Sequence, residues 1–230
     1  MTSDKELHGG THMHHAHTEL LSFERVRKGM QAPRALRIAI EGPQLAGKTS
    51  LAAAVATLAE SLGTPVPVFH TGRPQAGAET LHPDTWAGIW LDAVRSGLHG
   101  VLDRSWLGDA VYPYCVKDNS RGSQQAVFAR RHAALAVQAM AAAHGWQTFV
   151  LMPSERVIEE RGKPKADWCG NERYEWATVL RMCRTPGSGV QELRYPYNDS
   201  RDLETLAEDV LARHARYTEH FEAERARLNA

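Results

Sequence analysis

The chain has 230 residues, 43% of them apolar and 23% charged, which suits one folded domain of ordinary size. Lysine and arginine together number 27 and so do aspartate and glutamate, so no bulk charge draws the chain to polymeric nucleic acid or to an acidic membrane. No apolar run approaches the length of a membrane span, and the polar N-terminus has no apolar signal core, so a cytoplasmic location is expected. Cys115, Cys169 and Cys183, an odd count without metal-type spacing, suit free thiols.

In chain order, residues 1–33 form a polar, His-rich segment that Pro33 closes off, and a flexible tail is expected there. His8, His12, His14, His15 and His17 read as a transition-metal tract or as an inert tail, and with no Cys or carboxylate frame the inert reading leads. Leu20 to Met30 has the pattern of a short helix. Residues 34–230 read as a single domain. Strand patterns fall at 36–41, 66–70, 99–103, 147–152 and, more weakly, 191–195. Helix patterns fall at 48–62, 83–97, 123–144, 154–161, 171–183 and 202–227. The Ala-rich 123–144 run stops at Gly145, and the last helix follows a serine–aspartate cap region at 199–202. This alternation predicts a three-layer α/β/α sandwich around a parallel sheet of about five strands.

The first strand leads into Gly42-Pro43-Gln44-Leu45-Ala46-Gly47-Lys48-Thr49, with Ser50 following in a helix. GxxxxGK[ST] between a strand and a helix predicts a phosphate-binding loop rather than a plain turn. Its backbone N–H groups and the helix N-terminus make a partly positive cradle for polyphosphate. Lys48 is expected to reach the β- and γ-phosphates, and the Thr49 hydroxyl to ligate Mg²⁺. Asp103 ends the third strand pattern, where a carboxylate can hold Mg²⁺ or its water shell beside Thr49. Arg104, next to it, suits a transferring phosphoryl group, and a surface ion pair is the plain alternative.

Several stretches, in order, resemble those of the thymidylate kinases, within the wider group of P-loop deoxynucleotide and deoxynucleoside kinases. They are Ile40-Glu41-Gly42; Val68-Phe69-His70-Thr71-Gly72-Arg73-Pro74; Asp103-Arg104 with Leu107 and Tyr112; Arg121-Gly122 with Gln124 or Gln125; Glu159-Glu160-Arg161-Gly162 with Asp167; and Tyr197-Asn198-Asp199. The resemblance spans about residues 36–212. It implies ATP as phosphoryl donor, Mg²⁺, and a deoxynucleoside monophosphate as acceptor, dTMP first. It also implies that Arg73 and Arg121 hold the acceptor phosphate, that Phe69 and Tyr112 line its base, and that a lid near 159–170 brings Arg161 and Lys163 over the phosphates. The loop offers Gln44-Leu45 and no cation, so the lid is expected to supply the arginine. A solvated basic turn is the plain alternative for 161–165. Oligomeric state, a homodimer included, is left open.

Three positions depart from the family pattern: Arg73 runs straight into Pro74 without a glutamate, Gly108 stands where a serine is usual, and Pro113 where a glutamine often follows the tyrosine. They bear on the acceptor base more than on the reaction type, and a kinase for another or a modified deoxynucleotide fits the same skeleton. A deoxynucleoside kinase needs a carboxylate base just after the second strand, and Phe69 to Ala78 contains none, which favours the monophosphate. A nucleotide-hydrolysing switch is disfavoured by the lack of an Asn-Lys-x-Asp run.

Overall fold

The computed structural model describes residues 35–71, 83–115, 124–162, 171–185, 187–195 and 200–229. The expectations for the 1–33 tail, Arg73, Arg121, Lys163, Asp167 and 197–199 lie outside the described residues.

A parallel strand covered by helices is buried on both faces and so reads as a near-continuous apolar run. Strands β1 (Arg37–Glu41), β3 (Gly100–Asp103) and β4 (Gln147–Pro153) are buried along their length, save the first residue of β1. The edge strands β2 (Val68–His70) and β5 (Val190–Tyr195) are more open. The five run in the order β2-β3-β1-β4-β5, and every neighbouring pair is parallel. Helices α1 (Lys48–Ser61), α2 (Pro83–Arg95), α3 (Tyr112–Cys115), α4 (Gln124–Ala143), α5 (Glu155–Glu160), α6 (Glu172–Met182) and α7 (Ser200–Leu228) cover the sheet, with a 3₁₀ turn at Trp106–Ala110. The α/β class expected from the sequence is the fold observed. The 3₁₀ turn and α3 escaped the periodicity reading because each is too short to show a helical repeat.

On α4 the buried Ala134, Val137, Gln138, Ala141 and Ala142 recur at three- and four-residue spacing, giving a narrow inward stripe. The Trp106 indole meets those of Trp90 and Trp146 edge-on, with centroids 5.5 and 5.9 Å away. Its Nε1–H donates to Gln138 Oε1, which also accepts from the Thr148 hydroxyl, while Gln138 Nε2 donates to Ser188 O. This buried amide is thereby satisfied on both ends.

His214 of α7 is buried against β1 and β4: the Arg37 backbone N–H donates to its Nε2 at 3.3 Å, and its Nδ1 lies 3.3 Å from Gln147 Oε1. Burial pushes its pKa down from 6.5 to about 4. Because the folded value is the lower one, the unfolded chain takes up the proton first as pH falls. Stability contributed by the neutral ring is complete above about pH 6.5 and is lost progressively towards pH 4. The loss amounts to about 3 kcal/mol at its fullest. Urea midpoints measured at pH 7 and pH 4.5 should therefore separate more in the native protein than in His214→Gln.

Candidate active site

In strand order β2-β3-β1-β4-β5 the chain leaves β1 to one side and crosses to the other after β3. A crevice at such a switch point, beyond the carboxyl ends of the strands, is where open parallel sheets bind ligands. The register Ile40↔Asp103 puts the loop after β1 and the turn after β3 side by side there. Gly42 enters the loop at φ +140°, and a Cβ on it would lie 2.4 Å from Leu151 O of β4, so only glycine fits. Gly47, in the left-handed region at φ 81°, is the N-cap of α1, and the first helical bond runs from Leu51 N–H to Gly47 O. The amides of Lys48, Thr49 and Ser50 thus stand at a helix start with no intrahelical acceptor, the geometry that receives anions.

The loop's carbonyls are held from behind. Lys48 Nζ donates to Gly42 O at 2.8 Å and Pro43 O at 2.5 Å. The Tyr112 hydroxyl donates to Gly42 O, Arg161 Nη1 to Leu45 O at 2.8 Å, and the Tyr195 hydroxyl to Ala46 O. Leu45 itself sits at φ 61°, strained for a branched side chain, and the Arg161 bond helps keep it there. An ammonium has three donors, so Lys48 spans the loop and keeps one for an anion. Burial lowers the Lys48 pKa to about 8, and the Arg104 charge adds to that, while Glu41 opposes it most strongly. Glu172 of α6 accepts from the Gln44 N–H at 2.8 Å, and burial raises its pKa.

At the neighbouring strand end, the Thr49 hydroxyl donates to Asp103 Oδ2 at 2.7 Å, and His70 Nδ1 lies 2.5 Å from the same oxygen. Asp103 is fully buried, and its Oδ1 is buried without a hydrogen-bond partner. A hydroxyl and an orphaned carboxylate oxygen beside a phosphate loop are the hard donors Mg²⁺ takes, so the residues fit that ion. Arg104 turns the chain at φ 74°, a conformation costing an arginine about 1–2 kcal/mol, and its Nε is likewise buried and unpartnered. Asp103 Oδ1 and Arg104 Nε are thus a buried anionic and a buried cationic atom without a partner in the protein.

Of the residues singled out from sequence, Gly42 to Thr49, Asp103, Arg104, Tyr112 and Arg161 come together around this loop. Ser50 is exposed in the first turn of α1. Phe69 does not join them: its ring lies against Gly100 and the hydrophobic core, and strand alternation turns the next residue, His70, to Asp103. Tyr112 meets Trp176 edge-on at 6.1 Å, so its ring is part of a packed wall. Four residues not singled out also touch the site: Glu41, His70, Glu172 and Tyr195. A carboxylate ending an apolar strand could have flagged Glu41. Nothing local marks Glu172 or Tyr195, which reach the loop from α6 and β5.

No protein-family model matches the chain, and no curated protein matches it in sequence. Among solved structures, a thymidylate kinase from Candida albicans superposes with a TM-score of 0.50 at 12% identity, over 80% of this chain and 94% of that one. A deoxyadenosine kinase from M. mycoides gives 0.44 at 16% identity over 77% and 99%, and a shikimate kinase from Acinetobacter baumannii 0.41 at 12% over 80% and 94%. At these identities the likeness is one of fold alone.

Proposed function

We propose that this chain transfers the terminal phosphoryl group of ATP to a deoxynucleoside monophosphate, dTMP first, in a Mg²⁺-dependent reaction in the cytoplasm. The observation that carries the reading is the meeting of a complete phosphate loop with Asp103 and Arg104 across one strand-end crevice. The loop amides and Lys48 bind the triphosphate and hold its charge. Thr49 and Asp103 would hold Mg²⁺, which would offset the negative charge that develops during transfer. Arg104, with its buried unpartnered Nε, grips the phosphoryl group in flight. Arg161, already bonded to the loop at Leu45, is the cation that a loop without its own arginine requires. No helix among the described residues is long and apolar enough to cross a membrane.

The acceptor assignment rests on the family resemblance of Arg73 and Arg121. A panel of deoxynucleoside monophosphates and nucleosides with ATP and Mg²⁺, read by ADP release, should show fastest turnover on dTMP. Arg73→Ala should raise the acceptor KM about 10- to 150-fold, the equivalent of a lost charge-assisted contact of about 1.5–3 kcal/mol. The ATP KM should stay near normal. Equal losses on nucleoside and monophosphate would instead tie Arg73 to the fold or the triphosphate.

One observation favours a second reading, a nucleoside kinase acting on a neutral 5′-hydroxyl. That chemistry wants a proton acceptor just after β2, and at the last residue of β2 His70 stands paired with a buried aspartate and half exposed. Faster turnover on a nucleoside than on any monophosphate would select it.

A further inference from the structure

Asp103 ends β3 and Arg104 follows it, the two residues on which the proposed transfer depends, and the 3₁₀ turn just beyond them lacks a side-chain cap of its own at its N-terminal end. Ser105 is the N-cap of the Trp106–Ala110 turn, and its side chain makes no capping bond. Ordinarily a cap side chain accepts from the backbone N–H two or three residues on. Here that acceptor comes from another strand. Glu41, the last residue of β1, brings Oε1 to 3.0 Å from the Gly108 N–H, 2.6 Å from the Ser105 N–H and 2.9 Å from the Ser105 hydroxyl, all three of which donate to it.

Glu41 is fully buried. The adjoining bond, from Arg104 N–H to Ile40 O at 3.0 Å, belongs to the same seam between β1 and the turn. Two bonds to consecutive amides, 104 and 105, pin the one residue of the turn whose φ is left-handed. Gly108 completes the fit from the far side. A Cβ there would stand 2.8 Å from the Tyr112 ring and 3.5 Å from Glu41 Oε1, so the seat has no room for the serine usual at this position.

We propose that Glu41 is a positioning residue: it caps the turn after β3 from the end of β1 and so fixes where Asp103 and Arg104 stand relative to the phosphate loop. Its effect on turnover rests on the phosphotransferase reading, but its effect on the turn does not.

What matters on this view is the place of Oε1, not the charge of the carboxylate. The two are separable by substitution. Glu41→Gln keeps an acceptor oxygen at the same reach and removes the charge. Glu41→Asp keeps the charge and withdraws the oxygen by one methylene. Each variant should be assayed for kcat and both KM values, and for amide hydrogen exchange over residues 104–110, with circular dichroism and Tm confirming the fold.

Glu41→Gln is expected within about threefold of native kcat with native exchange, and Glu41→Asp to lose about 100-fold in kcat, as an ångström-scale misplacement does, with the ATP KM nearly unchanged. Exchange at 104–110 should rise in Glu41→Asp alone. Activity retained by Glu41→Asp and lost by Glu41→Gln would overturn the proposal in favour of a charge effect on Lys48, and parallel behaviour of the two variants, in either direction, would also overturn it. If the native protein transfers no phosphoryl group, the kinase reading fails while the exchange measurement still decides the role of Glu41. Should Glu41→Asp not fold, Ser105→Ala, which removes only the hydroxyl donor, is expected to raise exchange at 104–110 and lower kcat by a smaller factor. Unchanged exchange in that variant would overturn the proposal.

Discussion

Lys48→Ala is expected to cut turnover by about 1,000-fold or more while the protein stays folded, because in the proposed reaction this ammonium would stabilise charge on phosphoryl oxygens that develops only in transfer. The structural cost of losing it is small. Two carbonyls, Gly42 O and Pro43 O, lose a donor, but Gly42 O keeps the Tyr112 hydroxyl and Pro43 O keeps the Ala46 N–H. The variant also sheds a buried cation whose pKa burial had already lowered to about 8, and the desolvation so relieved offsets the loss of the positive charge that faces the buried Glu41. Steady-state ADP release and a thermal melt on the same preparation check both halves. Near-native turnover would remove the basis for a phosphate loop; a large fall in Tm would recast Lys48 as chiefly a loop brace.

Asp103→Asn should lower kcat about 100-fold at moderate Mg²⁺ and shift the Mg²⁺ requirement upward by about tenfold or more, since a neutral amide is a poor ligand for a hard cation. Asparagine has nearly the shape of aspartate and still offers an oxygen to the Thr49 hydroxyl. It also removes a fully buried negative charge, so Tm should hold or rise slightly. A Mg²⁺ titration of the initial rate is the measurement. An unchanged Mg²⁺ dependence would take Asp103 out of the metal site and leave it as the partner of Thr49 and His70.

The fold was legible because its strands are buried on both faces. Ile38, Ala39 and Ile40, or Val101 and Leu102, admit no solvent-facing position, so an apolar run bounded by glycine or charge is nearly the whole signal. The phosphate loop was legible because its glycines are required by space: the Leu151 carbonyl leaves no room for a side chain at residue 42. Phe69 and His70 show where such reading stops. In a three-residue edge strand, composition does not say which of two neighbours packs on the core and which faces the crevice, and the structure lays Phe69 on the core and turns the exposed His70 to Asp103. Glu172 and Tyr195 were illegible for another reason. They arrive at residues 44 and 46 from 128 and 149 positions away along the chain, a proximity made by the fold and not by any local pattern.

The braced carbonyls of the phosphate loop carry a thermodynamic consequence. Side chains from α1, α3, β5 and the end of α5 already hold the backbone at residues 42, 43, 45 and 46 in its curved form. A triphosphate arriving there, as the proposed reaction requires, would meet a mould that has been cast beforehand, and little chain freedom would be surrendered at the moment of contact. Calorimetry of nucleotide binding should accordingly show a modest heat-capacity change and a small entropic penalty, unlike the signature of a segment that folds around its guest.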